Sequence, residues 1–389
     1  MKYRLSSGTL INDNKTLQKD LLFADGRIIG LVDRDEKTDG YSVVDVTGLY
    51  VSAGFVDIHQ HGGGGADYMD DDPDVYFKAT EAHLRHGTTS VMPTLMSSTR
   101  DDLSVAIKRY VGALSDKRIR ANLLGLFVEG PYISPEQSGA MRPDRIRAFD
   151  PEEYREMVDL SEGNIRRITA APELDGAEQF AEFAKKENIT LSIGHSNADL
   201  DTVLRAYDLG YRHITHLYSC MSTITRRGGF RVAGVLEAAY YIDDMDVEII
   251  ADGCHVPTSL LEYVAKFKDH SRISLITDAM RAAGQDVSES YLGAGDSITP
   301  VIIEDGVAKL VDRSAFGGSV ATSDRLVRNM LLAGVSLPSA IMMITENPIR
   351  QMGLKVKKGR LEVGYDADIC VFDGDINLKH VICNGEFVF

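Results

Sequence analysis

Between residues 53 and 280 the chain alternates short apolar segments with segments whose apolar residues recur at helical spacing. The apolar segments lie near residues 55–61, 89–95, 123–129, 165–171, 190–195, 213–218, 247–252 and 273–278. Helical patterns lie at 74–85, 101–114, 178–187 and 200–209, with a shorter one at 233–241. Strands that alternate with helices in this way pair in parallel. Eight such units predict an α/β fold, a closed (β/α)8 barrel of the TIM type.

An open, doubly wound sheet is the alternative to the barrel. That architecture is favoured by a glycine-rich phosphate loop with dinucleotide-binding spacing after the first strand. The four glycines at 62–65 follow the first predicted strand, but they lack that spacing and histidines precede them. The barrel is therefore the preferred prediction.

The two ends of the chain have a different texture from the middle. Residues 1–52 and 359–389 consist of short strand-like segments separated by turn pairs, such as Asp25-Gly26 and Asn384-Gly385. We predict that both ends build one small β-sandwich domain, with the barrel over 53–358. Residues 281–322 are rich in glycine and serine and break the alternation, so we interpret them as a lid-like insertion over the barrel mouth.

Composition excludes several classes of protein. The 389 residues carry a net charge of 42 − 58 = −16, which argues against a nucleic-acid binder because such proteins need a basic face. The four cysteines have no CxxC spacing, which is typical of reduced cytosolic thiols. The N-terminus lacks the apolar run of a signal peptide, and no 18-residue apolar stretch suggests a membrane span. We expect a cytoplasmic protein.

Five of the eight predicted strands end in side chains that can bind a metal ion. They are, in chain order, His59 and His61, then Glu129, His195, His216 and Asp278. A single histidine or carboxylate at a strand end is more often a core residue or a helix cap. Catalytic residues of a barrel, however, come from the ends of several strands at one face, which favours a shared site. His59 and His61 lie on one face of their strand because side chains alternate.

Imidazoles and carboxylates without thiolates suit zinc or another borderline divalent ion. Such an ion lowers the pKa of the water that it binds, and a nearby carboxylate can accept the proton and return it to the leaving group. We assign that role to Asp278. His255 is a candidate for contacts with substrate hydroxyls or a developing oxyanion, and Arg226 and Arg227 for phosphate, although a solvated surface pair explains the arginines equally well.

Together, these residues and their surrounding motifs resemble the N-acetylglucosamine-6-phosphate deacetylases of the amidohydrolase superfamily. The motifs lie at 51–59, 128–131, 194–198, 215–218, 251–255, 277–279 and 359–368. The resemblance implies that Glu129, His195 and His216 hold the principal metal and that Asp278 is the general base and then the acid. It implies a second metal at His59 and His61 in members that keep two. Zn²⁺ is the expected ion, with Fe²⁺, Mn²⁺ and Co²⁺ as alternatives.

The resemblance also implies a homodimer that removes the N-acetyl group from a phosphorylated amino sugar, most simply N-acetylglucosamine 6-phosphate. Two departures concern the substrate contacts. Met141 stands where the family has a histidine that contacts the acyl carbonyl, and a methionine donates no such hydrogen bond, a loss that typically costs about 10²–10³ in rate. Ser219 and Cys220 replace an Asn-Ala pair whose asparagine helps to hold the phosphate. Arg227 matches a phosphate-binding arginine of some members.

Several readings of these departures stay open. A second metal could polarise the acyl carbonyl in place of the missing histidine, or Arg142 could recruit a different acyl group or an acidic substrate. The alternative activities are hydrolysis of another N-acyl amino sugar, an N-acyl amino acid or a cyclic amide. The non-enzymatic alternative is an inactive barrel that serves as a scaffold.

Overall fold

A computed structural model, which describes residues 1–295 and 298–389, has a parallel barrel at its centre. The barrel strands are Phe55–Gln60, Thr88–Met96, Leu126–Glu129, Ile165–Ala170, Thr190–Ile193, Tyr211–Ile214, Asp246–Ile250 and Ile273–Ile276. Each strand pairs in parallel with the next along the chain. The ring closes where Gln60 bridges Ala279 in parallel and the Asp278 amide donates to the His59 carbonyl at 2.9 Å. The predicted (β/α)8 barrel is confirmed.

Helices follow the strands and cover the outside of the barrel. Those after successive strands are Val75–Leu84, Arg100–Ala113, Pro151–Leu160, Ala177–Lys186, Leu200–Leu209, Val235–Tyr241, Thr258–Phe267 and Ser323–Leu332, and the chain continues through Leu337–Ile344 and Glu346–Gln351. The helix Leu200–Leu209 shows which local signals in the sequence predict a helix. It buries Val203 and Ala206, which share one face, and Asp199 caps it by accepting a hydrogen bond from the Thr202 amide at 3.0 Å.

Both ends of the chain contribute to one β-sandwich, as the sequence predicts. One sheet has the order Arg27–Val32, Asp20–Ala24, Lys2–Ser6 and Ser42–Asp45. The other has the order Glu386–Phe387, Leu378–Cys383, Ile369–Phe372, Tyr50–Ala53, Thr9–Asn12 and Lys15–Leu17. Leu5, Phe23, Val51 and Ile369 belong to the apolar cluster of this sandwich. Strand pairing between Tyr50–Ala53 and Ile369–Phe372 therefore joins segments that are more than 300 residues apart in the chain.

After the eighth barrel strand the chain forms a four-stranded antiparallel sheet before it enters the helix Ser323–Leu332. Its strands are Glu289–Leu292, Thr299–Glu304, Val307–Leu310 and Phe316–Ser319. The sheet is anchored to the barrel mouth because the Ser319 amide donates to the Asp278 carbonyl at 3.0 Å and the Met280 amide donates to the Ser319 carbonyl at 2.9 Å. Positions 296 and 297 of the predicted insertion lie outside the described residues. Its role as a lid stays a prediction.

Within the described part of the chain, no helix is both long and apolar enough to cross a membrane.

Candidate active site

Glu129 lies at the centre of a group of imidazoles at the carboxyl ends of the barrel strands. Its Oε1 atom is 2.9 Å from His216 Nε2 and 3.2 Å from His195 Nε2, and the two imidazole nitrogens are 3.1 Å apart. All three side chains are buried. Glu129 ends the third barrel strand, and His195 and His216 follow the ends of the fifth and sixth strands. The barrel therefore brings together residues that are up to 87 positions apart in the sequence.

A second group shares the same carboxylate. His61 Nε2 lies 3.2 Å from Glu129 Oε2, and His59 Nε2 lies 3.7 Å from Glu129 Oε1. Among the described residues, His59, His61 and Glu129 form one group with metal-ligand spacing, and Glu129, His195 and His216 form another. Because Glu129 presents an oxygen to each group, it can bridge two ions.

The hydrogen bonds around these imidazoles fit metal binding. The Nδ1 atoms of three of them face an acceptor: Glu248 Oε2 at 3.1 Å from His59, the Thr94 carbonyl at 3.2 Å from His61, and the Gln137 carbonyl at 2.7 Å from His195. In the neutral imidazole that binds a metal, these acceptors put the proton on Nδ1 and turn the Nε2 lone pair toward Glu129, as in metal-ligating histidines. His59 Nε2 is buried and has no hydrogen-bond partner within the described residues, as expected for a metal-ligand atom.

Asp278 faces the second group from the end of the eighth strand. Its Oδ1 atom is 3.1 Å from His61 Nε2 and 3.4 Å from His59 Nε2, and the side chain keeps some exposure to the cavity. Burial alone would raise the pKa of Asp278, but attraction by His59 and His61 in their protonated forms holds it below its ordinary value. The carboxylate is therefore ionised at neutral pH and able to accept a proton.

Three of these residues have backbone conformations that L-residues rarely adopt. The φ angles of His195, His216 and Asp278 are 49°, 30° and 47°. A non-glycine residue in this region costs about 1–3 kcal/mol, and such residues cluster at functional sites. The chain accepts this cost at three strand ends that face one point, which supports a functional reason for their placement.

A buried ion pair inside the barrel contacts the imidazole of His59. The pair was not predicted from the sequence. Arg167 and Glu248 form this pair inside the barrel with both side chains fully buried. Arg167 also donates to Ser192 at 3.0 Å and to Thr215 at 2.9 Å, and Glu248 accepts from His59 on its other oxygen. Burial would raise the pKa of Glu248, but Arg167 and His59 hold it well below its ordinary value.

The sequence signal for this ion pair was a charged residue in the middle of an apolar strand. Glu248 lies between Val247 and Ile249, and Arg167 precedes Ile168, in strands that a parallel barrel should fill with apolar residues. A charge at such a position is rarely tolerated without a buried partner. Arg167 and Glu248 carry opposite charges inside two such strands, so pairing them would have identified the network.

Breaking this pair is expected to destabilise the fold strongly. Arg167→Met leaves the Glu248 carboxylate buried without its cation, which costs about 3–5 kcal/mol of unfolding free energy. The measurement is urea unfolding, with Arg100→Ala as the matched control because Arg100 forms an exposed pair with Glu156 at 2.6 Å. That control should cost less than about 1 kcal/mol. Equal losses in the two variants would contradict the role of the buried pair.

The metal-ligand groups line a cavity of ≈ 240 Å³ that also contains predicted substrate contacts. Met141, Ser219, Cys220 and His255 are in its wall. His255 Nδ1 lies 2.8 Å from Asp252 Oδ2, and Phe316 of the insertion packs on the His255 ring, with the ring centroids 4.8 Å apart. His255 is therefore held in one orientation in the wall of the cavity.

Two predicted substrate contacts lie elsewhere. Arg142 lines a neighbouring chamber and pairs with Asp144 at 2.9 Å. Arg227 lies on an exposed hairpin formed by Thr225–Arg227 and Phe230–Val232, where it donates to Asp199 at 2.7 Å. The structure thus brings together the candidate metal ligands, Asp278 and four of the six predicted substrate contacts, and leaves the two arginines outside the cavity.

Comparison with known proteins agrees with this geometry. The model of the amidohydrolase family matches residues 50–388. An N-acetylglucosamine-6-phosphate deacetylase of Lysinibacillus sphaericus is 31% identical over 380 residues, which cover 97% of this chain and 95% of that protein. An N-acetylgalactosamine-6-phosphate deacetylase of Escherichia coli O157:H7 is 31% identical over 335 residues, covering 85% and 86% of the two chains.

A solved structure shows the same likeness across the whole fold. The crystal structure of the N-acetylglucosamine-6-phosphate deacetylase from Pasteurella multocida superposes with a TM-score of 0.91 at 28% identity, over 100% of this chain and 99% of that one. The family match extends over the barrel and the C-terminal strands of the sandwich, and the solved structure matches the whole chain. The chain belongs to the amidohydrolase family and, within it, to the N-acetylglucosamine-6-phosphate deacetylases.

Proposed function

We propose that this protein hydrolyses the N-acetyl group of an N-acetylhexosamine 6-phosphate, releasing acetate and the free amine. The observation that carries the proposal is the shared carboxylate. Glu129 offers one oxygen to His195 and His216 and the other to His61, within 3.2 Å in each case, at the floor of a cavity of sugar size. The substrate class comes from the relatives, which are deacetylases of N-acetylglucosamine 6-phosphate and N-acetylgalactosamine 6-phosphate.

The residues of the two groups would hold the metal. Glu129, His195 and His216 would bind the principal ion, and His59 and His61 would complete a second site with Glu129. We propose Zn²⁺, with Fe²⁺, Mn²⁺ or Co²⁺ as alternatives, because nitrogen and carboxylate ligands suit these ions. A divalent ion here supplies Lewis acidity to the acyl carbonyl and lowers the pKa of water.

The protein's own groups handle the proton and the orientation of the substrate. Asp278 takes a proton from the attacking water at Oδ1 and returns it to the amine nitrogen as the C–N bond breaks. His255, fixed by Asp252, contacts the sugar or the acyl oxygen from the seventh strand. Ser219 and Cys220 contact the sugar side from the sixth. Leu292 and Phe316 of the insertion cover the cavity and limit the access of water.

Arg227 is proposed to reach the phosphate across a dimer. Its side chain is more than half exposed, and the hairpin that carries it also exposes Phe230, while Ile224 is exposed just before it. Large apolar side chains on an extended hairpin suit an interface with a second copy of the chain. In such a homodimer the hairpin can bring Arg227 to the partner's cavity, where a guanidinium matches phosphate geometry.

The test is acetate release from the N-acetyl forms of glucosamine, galactosamine and mannosamine, each with and without the 6-phosphate. We expect the 6-phosphates to react faster by about 10²-fold in kcat/KM, because charge-assisted hydrogen bonds hold the phosphate. Arg227→Ala should reduce that ratio, and Arg100→Ala, which removes an exposed arginine paired with Glu156, should leave it unchanged. No acetate from any metal-loaded reaction, or equal rates with and without phosphate, would contradict the proposal.

A further inference from the structure

A second chamber lies beside the catalytic cavity. It has a volume of ≈ 250 Å³, close to that of the cavity itself. Met96, Ala140 and Leu292 line both spaces, so the two spaces share a wall. The Ser97 hydroxyl, also in the chamber wall, donates to the Glu129 carbonyl at 3.1 Å. One residue of the chamber wall is therefore hydrogen-bonded to the backbone of Glu129.

Three arginines converge on this small space in a chain whose net charge is −16. Polar lining residues are Arg109, Arg142, Arg145, Ser97, Ser98, Thr299, Asp71 and Asp102. Of the two carboxylates, Asp102 accepts a hydrogen bond from the Ser98 hydroxyl at 3.0 Å, and Asp71 has a fully exposed side chain. The described lining thus has more cations than anions, together with hydroxyl donors.

Arg109 and Arg145 have partners that an anion can replace or join. Arg109 pairs at 2.6 Å with the fully exposed Asp71. Exposed pairs of this kind contribute little. Arg145 Nε is buried, has no hydrogen-bond partner within the described residues, and lies 3.7 Å from the nearest Asp144 oxygen. A buried donor without a partner indicates a position that a ligand atom can satisfy.

The side of the chamber that carries its arginines lies opposite the proposed sugar contacts. Met96, Ala140 and the three arginines belong to the second strand or to the segments after the second and third strands, and segments after the first and eighth strands complete the wall. Ser219 and His255 follow the sixth and seventh strands. In a ring of eight strands these positions face each other across the mouth. A substrate whose sugar contacts Ser219 and His255 therefore directs its acyl group toward Met96 and Ala140.

We propose that this chamber binds the far end of an acyl group that is longer than acetyl and ends in a carboxylate. The proposal rests on the function proposed above and names its substrate class, an N-(carboxyacyl)hexosamine 6-phosphate. The same hydrolysis applies. The water oxygen bonds to the acyl carbon, the C–N bond breaks, the amine takes the proton, and a dicarboxylate leaves. Met141, which donates no hydrogen bond, leaves the path to the chamber apolar.

A matched pair of substrates tests the chamber. N-succinyl- and N-butyrylglucosamine 6-phosphate have four-carbon acyl groups that differ in a terminal carboxylate or methyl. We expect kcat/KM to favour the succinyl compound by about tenfold or more, the value of one charged hydrogen bond. Arg145→Leu should remove most of that preference, while Arg100→Ala, an exposed arginine outside the chamber, should keep it. Equal rates for the two substrates in the wild type would overturn the proposal.

A second variant tests the volume of the chamber. Val105 lines it from the exposed side of the helix Arg100–Ala113, away from the catalytic cavity. Val105→Trp should fill the chamber and lower turnover of the succinyl compound about tenfold, with N-acetyl turnover unchanged. Leu114→Trp, at an exposed position after the same helix, is the control. Loss of N-acetyl turnover in Val105→Trp, or no effect on the succinyl compound, would contradict the placement.

Failure of the chamber and failure of the proposed function give different results. If N-acetylglucosamine 6-phosphate is hydrolysed and the succinyl preference is absent, only the chamber proposal fails. If no N-acyl substrate is hydrolysed, calorimetric titration of metal-loaded Asp278→Asn protein with the succinyl and butyryl compounds still tests the chamber. Tighter binding of the succinyl compound, lost in the double variant with Arg145→Leu, would support it, and equal binding would overturn it.

Discussion

Glu129→Ala is expected to lose bound metal at both groups and to lower kcat/KM by about 10³-fold or more. Its two carboxylate oxygens serve different imidazoles, Oε1 for His195 and His216 and Oε2 for His61. Removing the shared ligand therefore weakens both sites at once, and several kcal/mol of transition-state stabilisation depend on the ion. The measurements are metal content by mass spectrometry and the initial rate of acetate release.

Glu153→Ala is the matched control for Glu129→Ala. Glu153 is also a buried carboxylate, but it pairs with Arg147 and accepts from Tyr132 away from the imidazoles. We expect this variant to lose stability and to keep its metal content. If Glu129→Ala retained metal and activity at the level of Glu153→Ala, Glu129 could not be the shared ligand.

Asp278→Asn is expected to retain metal and substrate affinity while kcat falls by about 10²–10⁴-fold. The amide nearly preserves the shape of the carboxylate but cannot take a proton from water, and general acid–base catalysis contributes on that scale. Asp278 lies beside His59 and His61, outside the group formed by Glu129, His195 and His216, so the principal site keeps its ligands.

The split between kcat and affinity distinguishes this role from a structural one. Calorimetric binding of N-acetylglucosamine 6-phosphate to the variant gives the affinity, and metal analysis gives the occupancy. A variant with unchanged kcat would contradict proton transfer by Asp278. A variant that loses metal in proportion to activity would make Asp278 a ligand instead of the base.

The barrel and the convergence of its strand ends could be predicted because they follow from periodicity. Five of the eight apolar runs end in a metal-binding side chain at the same end of a parallel strand, so Glu129, His195 and His216 had to approach one another once the barrel was assigned. The ends of the five helices that were predicted agree with the structure to within one or two residues, and Leu200–Leu209 agrees to the residue, because caps and apolar faces are local signals. Other helices, such as Pro151–Leu160 and Thr258–Phe267, were not predicted.

The support beneath the site could not be predicted in the same way. Arg167 and Glu248 are 81 positions apart, and only the ring order of the strands brings them together. The places of Arg227 and Arg142 depend on loops whose conformation is set by contacts with other segments, such as Asp199 and Asp144. The second chamber is lined in part by the insertion after the eighth strand. The sequence periodicity does not predict how this insertion packs against the barrel.

The most direct test of the account is the loss and return of metal together with activity. Purified protein should contain one or two equivalents of a divalent ion per chain, and chelation should remove the ion and acetate release from N-acetylglucosamine 6-phosphate together. Adding Zn²⁺ should restore both in the wild type and neither in Glu129→Ala. Full acetate release from protein that mass spectrometry shows to be free of metal would contradict the central claim.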